Sequence, residues 1–302
     1  MGIVICTCNG YRVGGPGLFM KAHAADAGVL YIIDSIGGTP ESVTEDCTDS
    51  AGGWSYDAGT ATLTLDGFQG EYIEANGDIN IVLKGKNKIT ISAESTEGIK
   101  STGKVTIDDT ISPVQDCLDI YCNDGTESVS MIYTGGFGAD YATYIVGGTV
   151  NLVEENTRRR YVTGISRWAY VENDASLNIN LSADGGRNGA AALLNLNTSG
   201  DTSFRVNSLS SSSYGVYSLD KKGSGDTALT AEGKAKNIGN KFTVGSTGNT
   251  GKITIKGYLT DFTPYRKKIE LWAWIISCGV ILPKILRQVD YVDVYVIVWV
   301  CR

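Results

Sequence analysis

The chain has 302 residues, of which 42% are hydrophobic and 20% are charged, so it can bury a sizeable core and extensive disorder is not expected. Its formal net charge of −7 and isoelectric point near 4.9 argue against a nucleic-acid-binding protein, because such binding needs a clustered cationic surface. With 38 glycines and 5 prolines, the composition favours strands joined by turns over helices.

Residues 1–27 are expected to form a leader or a disordered N-terminus. Residues 22–28, AHAADAG, offer the small side chains that a signal peptidase prefers. Upstream, residues 1–19 contain no continuous apolar segment of the kind that a signal peptide uses. Export is nevertheless predicted from residues 22–28, with a signal that is damaged, cropped or wrongly started, and an unstructured N-terminus without a targeting role stays an alternative.

A β-domain is predicted over residues 28–262, and its first part, residues 28–68, is predicted to be a cap. In the segment GGWSYDAGTATLTLDGF, residues 52–68, Trp54 and Tyr56 lead through a turn at 57–59 into a strand. Such a cap suits a stacked β-structure, whose first layer of strands would otherwise be exposed.

Short triplets of alternating apolar and polar residues recur along this domain. From Val105 onward they begin roughly 21–27 residues apart, a period typical of solenoids. One triplet is too short to be stable alone, but triplets stacked in parallel would align their apolar residues as ladders inside a coil. The sequence thus predicts an all-β, single-stranded parallel β-helix of roughly 20–27 residues per turn with an N-terminal cap. The triplets from Val105 begin at Val105, Val129, Val150, Leu177, Phe204, Leu229 and Ile253.

Glycines flank these triplets, and we expect them at the corners of the coil, where positive φ costs little. A second apolar element, Gly-Ile or Gly-Val, precedes several triplets and is expected to form a neighbouring face of the same turn. Its members are Gly98–Ile99, Gly164–Ile165 and Gly215–Val216.

Residues 263–302 form an atypical hydrophobic tail that holds three of the five tryptophans and almost no glycine. Its two apolar runs are both interrupted by charged residues and fall short of the roughly 18–20 residues that a membrane-spanning helix needs. Three interpretations stay open: a hydrophobic C-terminal cap, a membrane-associated tail, and a non-native end. Membrane association is expected only through this tail.

Several of these segments together resemble a known family. The stretches GWSYDAGTATLTLDGF, IEANGDINIVLKGKNKITI, EGIKSTGKVTI and VGGTVNLV (146–153) resemble extracellular carbohydrate-binding β-helix proteins of Firmicutes, in the pectate-lyase-like superfamily. The resemblance covers residues 52–182 well and 183–257 loosely. It implies a right-handed β-helix, extracellular or on the bacterial cell surface, that binds plant or microbial polysaccharide, in some members with calcium.

Aromatic residues and arginines cluster between residues 133 and 170. Exposed rings suit the apolar face of a sugar, and arginines bind the carboxylates of acidic sugars. The rings are Tyr133, Phe137, Tyr141, Tyr144, Tyr161, Trp168 and Tyr170. The residues predicted to bind the ligand are Tyr133, Tyr141, Tyr144, Arg158, Arg160, Arg167 and Trp168. A solvated turn is the alternative for the arginines at 158–160.

The densest group of acidic residues lies between residues 108 and 124. Carboxylate oxygens on consecutive turns suit Ca²⁺, which takes about 6–8 oxygen ligands. The predicted calcium ligands are Asp108, Asp109, Asp116, Asp119 and Asp124, with ordinary solvated turn residues as the alternative. Cys117 and Cys122 are expected to be small core residues, and a disulfide between them is the alternative.

Histidine-dependent catalysis is disfavoured because the only histidine, His23, precedes the β-domain. Glycosidase chemistry through two carboxylates, and a calcium-dependent lyase, stay open. The function predicted is non-catalytic binding of extracellular polysaccharide, including an acidic, calcium-assisted version. The alternatives are a polysaccharide lyase or hydrolase of the same fold, and a structural spacer or adhesin segment of a surface protein.

Overall fold

The computed structural model describes residues 29–35, 37–109, 116–123, 125, 127–157, 161–172, 174–183, 189–244 and 251–257, and three strands at 271–277, 280–286 and 294–297. These residues form an all-β structure with one short 3-10 helix, Ala139–Tyr141. Within them, no helix has the length and apolar character needed to cross a lipid bilayer.

The strands are short at the beginning of the chain and longer after residue 149. In chain order they are β1 (Leu30–Ile33), β2 (Glu41–Val43), β3 (Cys47–Asp49), β4 (Trp54–Asp57), β5 (Thr62–Asp66), β6 (Gln69–Gly70), β7 (Tyr72–Ala75), β8 (Ile79–Lys84), β9 (Lys86–Ile91), β10 (Glu97–Ser101), β11 (Val105–Asp109), β12 (Cys117–Cys122), β13 (Val129–Thr134), β14 (Thr143–Ile145), β15 (Thr149–Thr157), β16 (Tyr161–Val171), β17 (Ser176–Ala183), β18 (Gly189–Thr198), β19 (Asp201–Ser208), β20 (Tyr214–Lys221), β21 (Thr227–Gly233), β22 (Lys236–Val244), β23 (Ile253–Lys256), β24 (Leu271–Ser277), β25 (Val280–Leu286) and β26 (Val294–Ile297).

Two sheets contain all of these strands, and most neighbours in them are parallel. An 11-stranded sheet runs from β6 through β9, β12, β15, β17, β19 and β21 to β23 and the last three strands. In a 15-stranded sheet, the ladder β7–β10–β13 and the ladder β8–β11–β14 meet at β16, which pairs with both β13 and β14. From β16 onward, β18, β20 and β22 continue both ladders as single long strands.

The triplets that follow one another in sequence do not all stack on one another. Those beginning at Val105, Val129 and Val150 lie in β11, β13 and β15, which belong to three different ladders. Later triplets do stack, because Ile179 pairs with Phe204, which pairs with Leu229. The early repeats therefore contribute three strands each. In that part of the chain, the spacing between successive triplets is in some cases the distance between two strands of one repeat, and not the length of a repeat.

Residues paired across the 11-stranded sheet show the true length of the repeat. Asp119 and Asn151 are 32 residues apart, Asn151 and Asn178 are 27 apart, and Thr202 and Thr227 are 25 apart. The expected range of roughly 20–27 residues fits the later repeats and also the pairing of β7 with β10, where Ile73 and Ile99 are 26 residues apart. It is too short between β9 and β15, where Ile89 and Ile120 are 31 residues apart. The additional residues lie in connections between strands, such as 135–142.

The Gly-Ile and Gly-Val elements form a neighbouring ladder, as predicted. Ile99 pairs with Ile132, which pairs with Ile165, and the ladder continues through Leu193 to Val216. All five side chains are fully buried. Each fully buried side chain of this size contributes about 1.5–3 kcal/mol of transfer free energy.

Glycines serve two different purposes in these ladders, only one of which was predicted. Gly148 has φ of 71°, in the left-handed region, and turns the chain into β15. At Gly164, by contrast, a Cβ would lie 2.8 Å from the carbonyl oxygen of Ala192 in the next strand. Gly164 is therefore required by close packing between strands, and the corner explanation is wrong for it.

The segment predicted as the cap is antiparallel, unlike the ladders that follow it. β3, β4 and β5 pair in antiparallel order, and β5 then pairs in parallel with β8. Trp54 and Tyr56 of β4 are buried, with 2% and 6% of their surface exposed. This arrangement covers one edge of the parallel strands with a buried aromatic pair.

The two cysteines of β12 form no disulfide and lie on opposite faces of the strand. Cys122 is buried with Leu118 and Ile120, whereas Cys117 is half-buried on the face that carries Asp119 and Tyr121. Since successive side chains of a strand alternate between its two faces, the expected core position is correct for Cys122 and wrong for Cys117.

The backbone of the hydrophobic tail continues the 11-stranded sheet. β26 pairs in parallel with β23, and β24 and β25 pair in antiparallel order. The side chains of this segment, and residues 1–28, lie outside the described part of the structure.

Candidate functional site

A groove of about 640 Å³ lies on the 15-stranded sheet, where β11 and β14 are neighbours. The strands and turns of two repeats form one part of it, and the connection that precedes β14 forms the other. Its lining residues are Asp78, Thr102, Gly103, Lys104, Thr106, Ala139, Asp140, Tyr141, Tyr144 and Val146.

A column of outward side chains crosses this groove. Asn80, Thr106, Tyr144 and Tyr170 are paired in register on β8, β11, β14 and β16. The rings of Tyr144 and Tyr170 are stacked, with centroids 4.6 Å apart and planes 6° apart. Because Tyr170 covers one face of the Tyr144 ring, the other face is directed along the column toward the much smaller Thr106, and the Lys104 ammonium lies over this face, 5.9 Å from the ring centroid.

Residues 135–142 form the wall of the groove, and two contacts hold this connection in place. The Tyr141 ring packs directly on Gly136, where a Cβ would collide with it. The Tyr144 hydroxyl donates a hydrogen bond to the carbonyl oxygen of Ala139 at 3.2 Å. Burial raises the pKa of this hydroxyl, and Tyr170 and Asp140 raise it further, so Tyr144 remains a hydrogen-bond donor.

Charged groups of both signs line the groove. The Lys104 ammonium lies 3.8 Å from a carboxylate oxygen of Asp78 and 5.9 Å from the centroid of the Tyr144 ring. Asp78 also accepts a hydrogen bond from the backbone N–H of Lys104 at 2.8 Å. Asp140 adds a second carboxylate, so the groove holds one cation and two anions.

Arg167, predicted to bind an acidic sugar, is engaged elsewhere. Its guanidinium lies 3.8 Å from the ring centroid of Phe137, which is 76% exposed. Its Nε is buried without a hydrogen-bond partner among the described residues. Arg167 therefore supports the Phe137 ring beside the groove through a cation–π contact.

The remaining predicted ligand residues are divided between the groove and other places. Tyr141 and Tyr144 line the groove, and Trp168 lies beside the tyrosine stack, 6.5 Å from the Tyr170 ring. Tyr133 lies on a different ladder, paired with Lys100. Arg158 and Arg160 lie outside the described residues.

The predicted calcium ligands do not all come together. Asp109 lies near Asp108 and Asp116, and its pKa is raised by burial and then by those two carboxylates. Asp116 is buried and accepts a hydrogen bond from the backbone N–H of Gly85 at 2.7 Å. Asp119 lies on the other sheet, where it accepts a hydrogen bond from Asn151.

Asp124 lies outside the described residues. Within the described part of the chain, no group of three or more histidine, cysteine or acidic side chains is arranged to hold a metal ion. The calcium site thus stays a prediction.

Several residues of the groove carried no signal in the sequence. Asp78, Lys104 and Thr106 each belong to an ordinary turn or strand pattern, and they become neighbours of Tyr144 only through the pairing of β11 with β14. A correct register for that pair would have been needed to find them.

The chain matches no family model, and no curated protein or solved structure matches it significantly. The function is therefore argued from the geometry of the site.

Proposed function

We propose that this chain is a secreted or surface-displayed, right-handed parallel β-helix that binds polysaccharide without cleaving it. Parallel ladders of residues 25 to 32 positions apart support the coil. Its right-handedness follows from the strong preference of parallel crossover connections. The small-residue segment at 22–28 supports export.

The observation that carries the binding function is the face of Tyr144 that Tyr170 leaves uncovered, where the Lys104 ammonium lies 5.9 Å from the ring centroid and would stand beside a bound sugar. A sugar presents a face of C–H groups that packs on an aromatic ring. Parallel strands are spaced about 4.8 Å apart, close to the 4.6 Å between the two tyrosine rings, so a sugar ring above Thr106 would form the third layer of the stack.

Polar groups around that position suit the hydroxyls of a sugar. Lys104 supplies ammonium donors, Asp78 and Asp140 supply acceptors, and Thr106 supplies a hydroxyl that both donates and accepts. Because carboxylates outnumber cations here, the groove favours a neutral sugar over a uronate. The acidic, calcium-assisted version would rely on the predicted calcium ligands, Asp108, Asp109, Asp116, Asp119 and Asp124, and on the arginines at 158, 160 and 167.

Calorimetric titration of the complete chain tests this proposal. The ligands are cellohexaose, xylohexaose and oligogalacturonate, each with calcium and with EDTA. Binding of a neutral hexaose that is unchanged by EDTA is expected. If oligogalacturonate is the only ligand that binds, and binds only with calcium, the acidic, calcium-assisted version of the proposal replaces the neutral-sugar version.

Two further outcomes separate the alternative functions. New reducing ends, or an unsaturated product absorbing in the ultraviolet, would show a hydrolase or a lyase. Failure of every oligosaccharide and of insoluble cellulose, xylan and pectin to bind would leave the spacer or adhesin as the better explanation.

A further inference from the structure

A second groove, of about 440 Å³, lies on the other sheet and has no part in the site above. Outward side chains of four consecutive strands, β12, β15, β17 and β19, line it. Two adjacent columns of these side chains give the groove an aromatic end, an amide wall and a closed far end.

Tyr121 forms the aromatic end. It is 37% exposed, and the Lys88 ammonium lies 4.7 Å from its ring centroid. Lys88 belongs to β9, the strand on one side of β12, so it covers the side of the ring toward β9. On the other side, the residue paired with Tyr121 is Val153, which is too short to cover the ring. The ring face toward β15 is thus open to the groove.

The neighbouring column is a ladder of hydrogen-bonded side chains. The Asn151 amide nitrogen donates to Asp119 at 2.6 Å, and the Asn178 amide nitrogen donates to Asn151 at 2.9 Å. Since the carboxylate of Asp119 only accepts, it orients both amides in the same direction. Each amide has a second N–H that the ladder does not use, and both amides line the groove between Tyr121 and Arg205.

Arg205 closes the far end, three strands away from Tyr121 and about 14 Å along the sheet. Its Nε and terminal nitrogen donate to the two carboxylate oxygens of Glu232 at 3.2 and 2.8 Å. This bidentate pairing fixes the guanidinium and balances its charge. The groove is therefore polar without an uncompensated cation, which suits hydroxyls better than carboxylates.

We propose that this second groove binds a short stretch of neutral glycan, with one sugar packed on Tyr121 above Val153 and its hydroxyls bonded to Asn151 and Asn178. The ligand class is shared with the proposed function, but the site is separate from the one at Tyr144. With two sites on different sheets, one protein molecule can bind two polysaccharide chains, or two points of one polysaccharide chain. Binding at both sites raises the apparent affinity for the polysaccharide.

Titration of the complete chain with cellohexaose, xylohexaose and mannohexaose tests the second site. Wild type is expected to bind two equivalents of at least one hexaose, and Tyr121→Ala one equivalent. Val153→Phe fills the space above Val153 without removing a polar group and is expected to lose the same equivalent. Tyr217→Ala, which removes a 40% exposed tyrosine outside both grooves, is the control and is expected to keep two.

The result for Tyr144→Ala separates the two proposals. Loss of binding in Tyr121→Ala and Val153→Phe, but not in Tyr144→Ala, would support the second groove and overturn the first. Unchanged stoichiometry and affinity in both Tyr121→Ala and Val153→Phe would overturn the second groove, whatever Tyr144→Ala does. A wild type that binds none of the three hexaoses would overturn it as well.

Discussion

Replacing Tyr144 by alanine removes the ring whose face away from Tyr170 lines the first groove. A buried aromatic side chain covers roughly 150–250 Å², and one ring face is about a quarter of that, or roughly 50 Å². At about 25 cal/mol per Å², this face contributes about 1.2 kcal/mol, and ring geometry adds about 0.5 kcal/mol. The dissociation constant of a hexaose for this site is therefore expected to rise roughly 10- to 30-fold.

Two variants make this prediction specific to the ring face. Tyr144→Phe keeps the face and loses only the hydrogen bond from the hydroxyl to Ala139, so its affinity should stay within about threefold of wild type. Tyr217→Ala should bind as wild type does. The dissociation constants come from calorimetry at 25 °C, with circular dichroism to check folding. Equal affinity in wild type and Tyr144→Ala, or equal loss in Tyr144→Ala and Tyr217→Ala, would refute the stacking argument.

Three further predictions concern stability, measured by urea denaturation. Leu152 is fully buried, so Leu152→Ala should lower the free energy of unfolding by about 3 kcal/mol. Leu209→Ala, at a position 49% exposed, should change it by less than about 0.5 kcal/mol. Similar losses in both variants would contradict a core built from the inward side chains of the ladders. Burial lowers the pKa of Lys221 in the folded chain, so the unfolded chain binds the proton of this ammonium more tightly. The wild type should therefore gain stability relative to Lys221→Met as the pH rises toward about 10.4. A difference in stability that does not change with pH would contradict this. Burial and then Glu74 raise the pKa of Tyr72, so its contribution to the free energy of unfolding is complete below about pH 10 and is lost above that pH. Tyr72→Phe should lose less stability than wild type above about pH 10, and an identical alkaline decline of stability in both proteins would contradict this.

Local patterns predicted much of the fold because the ladders are built from local alternation. Leu177, Ile179 and Leu181 are buried, whereas Asn178 and Asn180 between them face outward. Period-2 alternation alone identifies such faces. It does not show which triplets are neighbours, since the connections between strands differ in length from one repeat to the next.

In the candidate site, too, some features were predicted from local sequence and others depend on long-range contacts. Tyr141, Tyr144 and Trp168 were predicted as aromatic ligand residues, and the structure brings all three to the groove or its edge. The binding of a sugar carboxylate by Arg167 stays a prediction, and the structure places its guanidinium against Phe137. Whether the Arg167 guanidinium contacts a ring or is available to an acidic ligand depends on its distance from Phe137, which lies in the connection at residues 135–142. No local sequence pattern contains that distance.

The sequence by itself determined the class of structure: short apolar triplets at regular spacing, abundant glycine and scarce proline predicted an all-β chain, and the described residues are all-β. The tertiary structure alone decided the register of β11 against β14, and with it the pairing of Thr106 with Tyr144. The physical reason is that a stack of rings ends wherever a small side chain follows a large one in the next strand. That order is set by the lengths of the intervening connections and by long-range pairing. It places the ring face that Tyr170 leaves uncovered in a groove, next to the Lys104 ammonium.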